Sequence, residues 1–155
     1  MRGWIVAAAG VLALGMAGPV MAQGAAPGDV IADRRAGLRA MGTHLEAVQQ
    51  AVQARSDTRA LTPRVDAMIT FYQTFTDRFP AASLTPPVAQ GTQDGQTRAL
   101  AAIEANRANF VTANTNMSTA LTALRVAAES GTITPDMLRA TGGTCGACHQ
   151  QFRAR

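Results

Sequence analysis

Lysine is missing from this chain, and all 14 basic residues are arginines. They are scattered rather than gathered into a stripe. The sequence pI of about 10.4 is therefore no sign of a nucleic-acid partner, which needs clustered cations to neutralise successive phosphates. No alternation of apolar and polar residues marks a strand, and this removes the βαβ setting of a thioredoxin-like protein. Aromatic residues are few: one Trp, one Tyr and five Phe. Cysteine and histidine occur twice each. A zinc site takes about four protein ligands, and His44 lies far from the cysteine pair, so zinc is not expected. Past the N terminus, no segment approaches the roughly 20 apolar residues of a membrane span.

What is present begins with a leader. Arg2 supplies a positive start, residues 4–16 are apolar and Ala-rich, and Val20-Met21-Ala22 places small residues where an export signal is cut. The apolar stretch is short for a retained anchor, and Gly15, Gly18 and Pro19 interrupt its end. The expectation is a signal peptide over 1–22, cleavage after Ala22, and a soluble periplasmic domain over 23–155. Losing Arg2 leaves thirteen arginines against ten acidic residues, a modest excess in one domain's worth of chain.

Helical spacing dominates after the leader. Over 29–54, apolar residues fall at Ile31, Leu38, Met41, Leu45, Val48 and Val52, in steps of seven, three and four that make the seam of a bundle helix. A second helix is expected across Leu61, Val65, Met68, Tyr72, Phe75 and Phe79. Asp57 or Thr62 caps it, Pro63 fits its first turn, and Phe79-Pro80 ends it. Residues 80–96 carry Pro80, Pro86, Pro87, Gly91 and Gly95, and form a connection too long for a helix hairpin. A third helix starts between Thr97 and Asn106, turns Phe110, Met117, Leu121 and Leu124 inward, and stops at Gly131. Asn106, Asn109, Asn114 and Asn116 make it a poor intrinsic helix former that packing must hold. Thr134-Pro135 opens a fourth helix with Leu138, Thr141, Cys145, Cys148 and Phe152 on its inner stripe. The fold class expected is all-α, a four-helix bundle.

Both cysteines fall in Cys145-Gly146-Ala147-Cys148-His149, a C-x-x-C-H pattern that signals attachment of a c-type haem. The spacing has a chemical reason. Residues three apart share a helix face, so two thiols can form thioethers with the two vinyl groups of one haem. His149 can then offer an imidazole nitrogen to the iron. One covalent haem c near one end of the bundle would add apolar surface to a core poor in aromatics.

The placement of this motif in a C-terminal helix resembles cytochrome c′, the class II c-type cytochromes. So do Asp29-Val30-Ile31 with Arg34, then Met41-Gly42, Phe79-Pro80, Thr97-Arg98-Ala99-Leu100 with Phe110, and Phe152-Arg153. The resemblance implies His149 as the proximal iron ligand, with Arg153 beside its imidazole, and Arg34 paired with a haem propionate. The alternatives for the two arginines are a C-terminal charge favouring the helix dipole and an ordinary surface charge. The resemblance also implies that Leu38, four residues after Arg34, stands over the open side of the iron, and leucine has no lone pair to donate. A five-coordinate, high-spin iron follows, open to small neutral diatomics such as nitric oxide and carbon monoxide, with no polar donor for dioxygen. The rival is a low-spin electron carrier with Met41 as sixth ligand, Met41 lying one turn beyond Leu38; His44 should point elsewhere. Catalytic turnover is not expected, since no distal acid or base is in place. The resemblance also implies a redox partner protein and a homodimer through the first two helices, for which Val30 and Val65 offer exposed apolar side chains. The chain departs from the family pattern at Glu104, where an aromatic residue is common, and at Arg35, where glutamine is common.

Overall fold

The computed structural model describes residues 26–84 and 96–154. The leader, its cleavage point after Ala22, and Pro86, Pro87, Gly91 and Gly95 lie outside the described residues. No helix among the described residues is long and apolar enough to cross a membrane.

Four long helices form the bundle. Helix α1 (Pro27–Gln53) starts with proline in its first turn and Asp29 against the positive end of the helix dipole. Its end is a Schellman motif: Arg55 takes the left-handed φ of 54°, and the Ser56 N–H reaches the Ala51 carbonyl at 2.9 Å. A short 3₁₀ turn (Thr58–Leu61) leads into α2 (Thr62–Gln73). Asp57 caps that turn, accepting from the Arg59 N–H, while the Thr62 hydroxyl donates backward to the Arg59 carbonyl. Neither residue therefore caps α2 itself, contrary to expectation.

Helix α2 also ends earlier than the Phe79-Pro80 expected from sequence. It gives way to 3₁₀ turns at Thr76–Arg78 and Ala81–Ser83. The reason is tertiary. The carbonyls released by unwinding are taken by side chains from other helices: Arg107 donates to Thr76 O at 2.8 Å, Asn114 to Tyr72 O at 3.1 Å, and Arg34 to Arg78 O at 2.9 Å. The unwound segment keeps Phe75 and Phe79 buried in a chain of ring contacts that runs on to Phe110 and Phe152.

The third predicted helix is broken in two. A single turn, α3 (Ala102–Ala105), is separated from α4 (Arg107–Ser130) at Asn106, whose φ of −126° and ψ of 44° leave the helical region. Asparagine is a weak helix former, and its side chain satisfies the Ala102 carbonyl at 3.2 Å. Gly131 stops α4 with a φ of 72°, as its position predicted. Helix α5 (Pro135–Phe152) is capped by the Thr134 hydroxyl, which accepts from the Met137 N–H.

Helix α4 packs against both α2 and α5, and α1 against α2 and α5. At Gly37 the α1 backbone comes so near α2 that an added Cβ would lie 2.3 Å from the Phe71 ring. Val65 is fully buried between helices and Val30 is only partly exposed, which corrects the expectation of two exposed apolar side chains on the first two helices. The seam residue Val65 turned inward because α2 is sandwiched between α1 and α4. No strand forms among the described residues, but an isolated bridge joins Ala99 to Arg153. Around it, Leu100 N–H donates to Phe152 O at 2.9 Å and Ala154 N–H to Arg98 O at 2.8 Å. This clasp fixes the end of α5.

Candidate haem site

At the end of the bundle where α5 finishes, the four long helices enclose a cavity of about 330 Å³. That falls within the usual size of small-molecule and cofactor pockets. Cys145 and Cys148 both line it from α5, half-buried and three residues apart, with His149 beside them. Burial pushes both thiols above the ordinary cysteine range. Reactive redox cysteines have the opposite shift, so the pair is not poised as a thioredoxin-like nucleophile. No group of three His, Cys, Asp or Glu that would hold a metal ion forms among the described residues. His149 stays open to solvent on one side. Its partial burial, and then the charges of Arg153 and Arg98, hold its pKa below the usual histidine value, which favours the neutral imidazole that binds metals.

The wall facing these groups is apolar and largely aromatic, with Leu38 from α1, Tyr72 from α2, Phe75 from the unwound segment after it, and Phe110 and Met117 from α4. Phe152 closes the α5 side and is 4% exposed. The Thr144 hydroxyl donates to the Thr141 carbonyl at 2.7 Å and lies 3.4 Å from the Met117 sulfur. Burial, and then the neighbouring Cys145 and Cys148, push the Tyr72 hydroxyl up from its ordinary pKa. Met41 packs against the core but does not line the cavity. His44 is also outside, half-buried, with Nδ1 3.4 Å from an Arg64 guanidinium nitrogen.

Arg34 differs from the surface charge that was one reading of it. It is 2% exposed. Its guanidinium donates to Arg78 O and Ser83 Oγ at 2.9 Å, to Ser83 O at 3.2 Å and to Thr97 Oγ1 at 2.8 Å, and lies 4.4 Å over the Phe79 ring. All four acceptors are neutral. Burial lowers its pKa to about 10, so it stays charged at neutral pH. No carboxylate among the described residues pairs with Arg34; a buried cation without a counter-ion is costly, and this one lines the cavity. Asn114 adds an orphan to the same wall, since its Oδ1 is buried with no partner. Apolar walls, two thiols on one helix face and an uncompensated buried cation fit a flat apolar ring that carries carboxylates. Arg153, one turn beyond His149, has left the helix with a φ of −122° and lies exposed at the mouth.

A family model described as cytochrome c′ matches residues 29–153. The chain belongs to the cytochrome c′ family. No curated protein matches it. The cytochrome c′ from Thermochromatium tepidum is 20% identical and superposes with a TM-score of 0.71, over 84% of this chain and 99% of that one. The cytochrome c′ from Rubrivivax gelatinosus is 23% identical, with a TM-score of 0.65 over 82% of this chain and 96% of that one. A nitric oxide complex of a mutant cytochrome c prime from Alcaligenes xylosoxidans is 20% identical, with a TM-score of 0.68 over 84% and 98% of the two chains. As a cytochrome c′, the protein carries one haem c, bound covalently through Cys145 and Cys148.

Sequence reasoning placed Tyr72, Phe75, Phe79, Phe110 and Met117 on inward stripes without distinguishing core from cavity wall. Asn114 was read only as a weak helix former, and the anchors of Arg34 at Ser83 and Thr97 were not seen at all. Periodicity reports which face is apolar. It does not report whether the space in front of that face is filled by protein.

Proposed function

We propose that this cytochrome c′ is an exported, periplasmic protein that binds small diatomic gases, nitric oxide and carbon monoxide, at a five-coordinate, high-spin iron held by His149, and that it passes electrons to a redox partner protein. The observation that carries the reading is the composition of the cavity wall. Leu38 lines it, whereas Met41 and His44, the rival sixth ligands, do not. Met117 is in the wall on α4, and the spectrum below tests its sulfur together with that of Met41.

The haem supplies a redox-active iron with one position free for a small ligand. The chain's own residues do the rest. Leu38 fills space over that position, excluding water and large or charged ligands while offering no hydrogen bond to a bound gas. Partial burial, and then the charges of Arg153 and Arg98, favour the neutral His149 imidazole. Arg34, locked by Ser83 and Thr97, presents a positive charge toward the propionates. No carboxylate among the described residues lines the cavity as an acid or base, so the role is binding and electron transfer rather than turnover. A homodimer through α1 and α2 belongs to this reading. A cytochrome c′ with ligand-controlled dimer dissociation superposes on this chain with a TM-score of 0.72.

The test is the optical spectrum of the reduced holoprotein before and after carbon monoxide. A high-spin spectrum that shifts with the gas is expected. A low-spin spectrum indifferent to it would sink the proposal and return Met41, six-coordination and plain electron carriage.

A further inference from the structure

Tyr72 falls on an inward stripe of the sequence, where no polar donor is expected. The structure makes it the exception in its wall. It is the only tyrosine of the chain, it is 9% exposed, and it lines the cavity from the C-terminal end of α2. Its ring stands edge-on to Phe71, with centroids 5.3 Å apart, and tilted against Phe75 at 5.0 Å. A buried phenol ordinarily finds a hydrogen-bond partner, yet among the described residues nothing accepts from this one. Nor is the hydroxyl sealed in the core like Asn114 Oδ1; it opens on the cavity. Burial, and then Cys145 and Cys148, keep it protonated, and so a donor. The other polar groups of the wall are engaged differently. Asn114 donates its amide to the Tyr72 carbonyl at 3.1 Å, and its free Oδ1 can only accept. The Thr144 hydroxyl is bound to the Thr141 carbonyl, and the Arg34 guanidinium to Arg78, Ser83 and Thr97. Helices α2 and α5 each pack on α1 and α4, which sets the two diagonally across the bundle. A group anchored on α5 is thus faced by Tyr72 from the opposite corner.

We propose that Tyr72 sets ligand specificity: its hydroxyl donates a hydrogen bond to the outer atom of a diatomic ligand, so that the protein holds dioxygen as well as nitric oxide and carbon monoxide. The inference rests on the five-coordinate reading above and adds a ligand to it. Dioxygen draws electron density from ferrous iron, its outer atom becomes a strong acceptor, and the donors of the pocket decide whether it is retained. Carbon monoxide draws much less and gains little from a donor. Dioxygen enters and leaves as the same molecule, so no reductant is consumed. Leu38 screens ligands by size and charge, and Tyr72 screens them by their capacity to accept. The two aromatic neighbours hold the phenol in place before the ligand arrives, which is what makes a single donor effective.

The test is dissociation of each gas from the reduced holoprotein, followed by stopped flow. Tyr72→Phe should speed the loss of dioxygen about tenfold and that of carbon monoxide by less than about twofold. An equal change for both gases would show a packing effect and overturn the donor. Wild-type protein that goes straight to the ferric state on mixing with dioxygen, with no adduct seen, would overturn it as well. A second measurement needs no substitution. In protein made with ring-deuterated tyrosine, photolysis of bound carbon monoxide should perturb an infrared phenol band that moves with the label, and that band can belong only to Tyr72. A label-sensitive band indifferent to photolysis would place the hydroxyl away from the ligand, for instance on a cysteine sulfur, and overturn the proposal. The carbon monoxide spectrum keeps the two readings apart. Indifference to that gas sinks the five-coordinate reading, whereas normal carbon monoxide binding with no selective effect of Tyr72→Phe sinks only the role of Tyr72.

Discussion

The two ends of this bundle are built on different terms. At the end where α1 finishes and α5 starts, side chains largely satisfy one another, with the Thr58 hydroxyl the exception among the described residues. Val48, Val65, Leu121, Leu124 and Ala128 are fully buried, and the ion pairs Arg59–Asp57, Arg125–Asp66 and Arg139–Asp136 neutralise the surface. At the other end the aromatic side chains line an open space, and among the described residues Arg34 is buried without a carboxylate and Asn114 Oδ1 has no partner. The first end is a finished core. The second is a core with one component missing, and the unmet groups describe that component: apolar, thiol-reactive and anionic.

The largest effect expected from this contrast follows removal of the attachment. A Cys145→Ser and Cys148→Ser double substitution should yield haem-free protein whose cavity end is molten. Amide exchange around Phe75 and Phe110 should lose most of its protection, while that around Val48 and Leu121 keeps much of its own. Equal loss at both ends would break the comparison. Leu121→Ala, in the finished core, should cost about 3 kcal/mol in urea unfolding, and by a similar amount with or without haem.

Gly37→Ala comes next. The new Cβ meets the Phe71 ring on α2, and overpacking of this kind costs about 1–3 kcal/mol. Because Leu38 is the following residue, carbon monoxide affinity should change along with stability. A stability loss at unchanged affinity would show that α1 tilts without moving Leu38. Arg34→Met sharpens the charge argument, since it should lower the melting temperature of the holoprotein more than that of the haem-free protein, where the buried cation has no counter-ion to lose. The smallest effect belongs to the paired end. Asp66→Asn breaks a half-exposed ion pair and should shift Tm by no more than about 2 °C, less at high salt.

Much of this was legible in the sequence where the governing interaction is local. The Thr134 cap, the Gly131 stop and the inner stripe of α5 depend on neighbours within a turn or two, and the structure places them where the spacing predicted. The early end of α2 and the break at Asn106 were not legible. Both depend on residues such as Arg34, Arg107 and Asn114, which arrive from other helices to take carbonyls that an uninterrupted helix would have used. Val65 was misplaced for a related reason: an apolar residue on a seam can face a partner helix of the same chain or of a second one, and periodicity treats the two alike.

By itself the sequence determined the all-helical class, the stop at Gly131, the start of α5 and the covalent anchor, because thiols three residues apart must share a helix face. The tertiary structure alone decided which charges are paired and which are stranded. Arg34 and Thr97 are 63 positions apart, yet their bond is 2.8 Å long. Whether a charge finds a carboxylate, a neutral oxygen or an open cavity depends on how the helices cross, and that is set by the packing of the whole core.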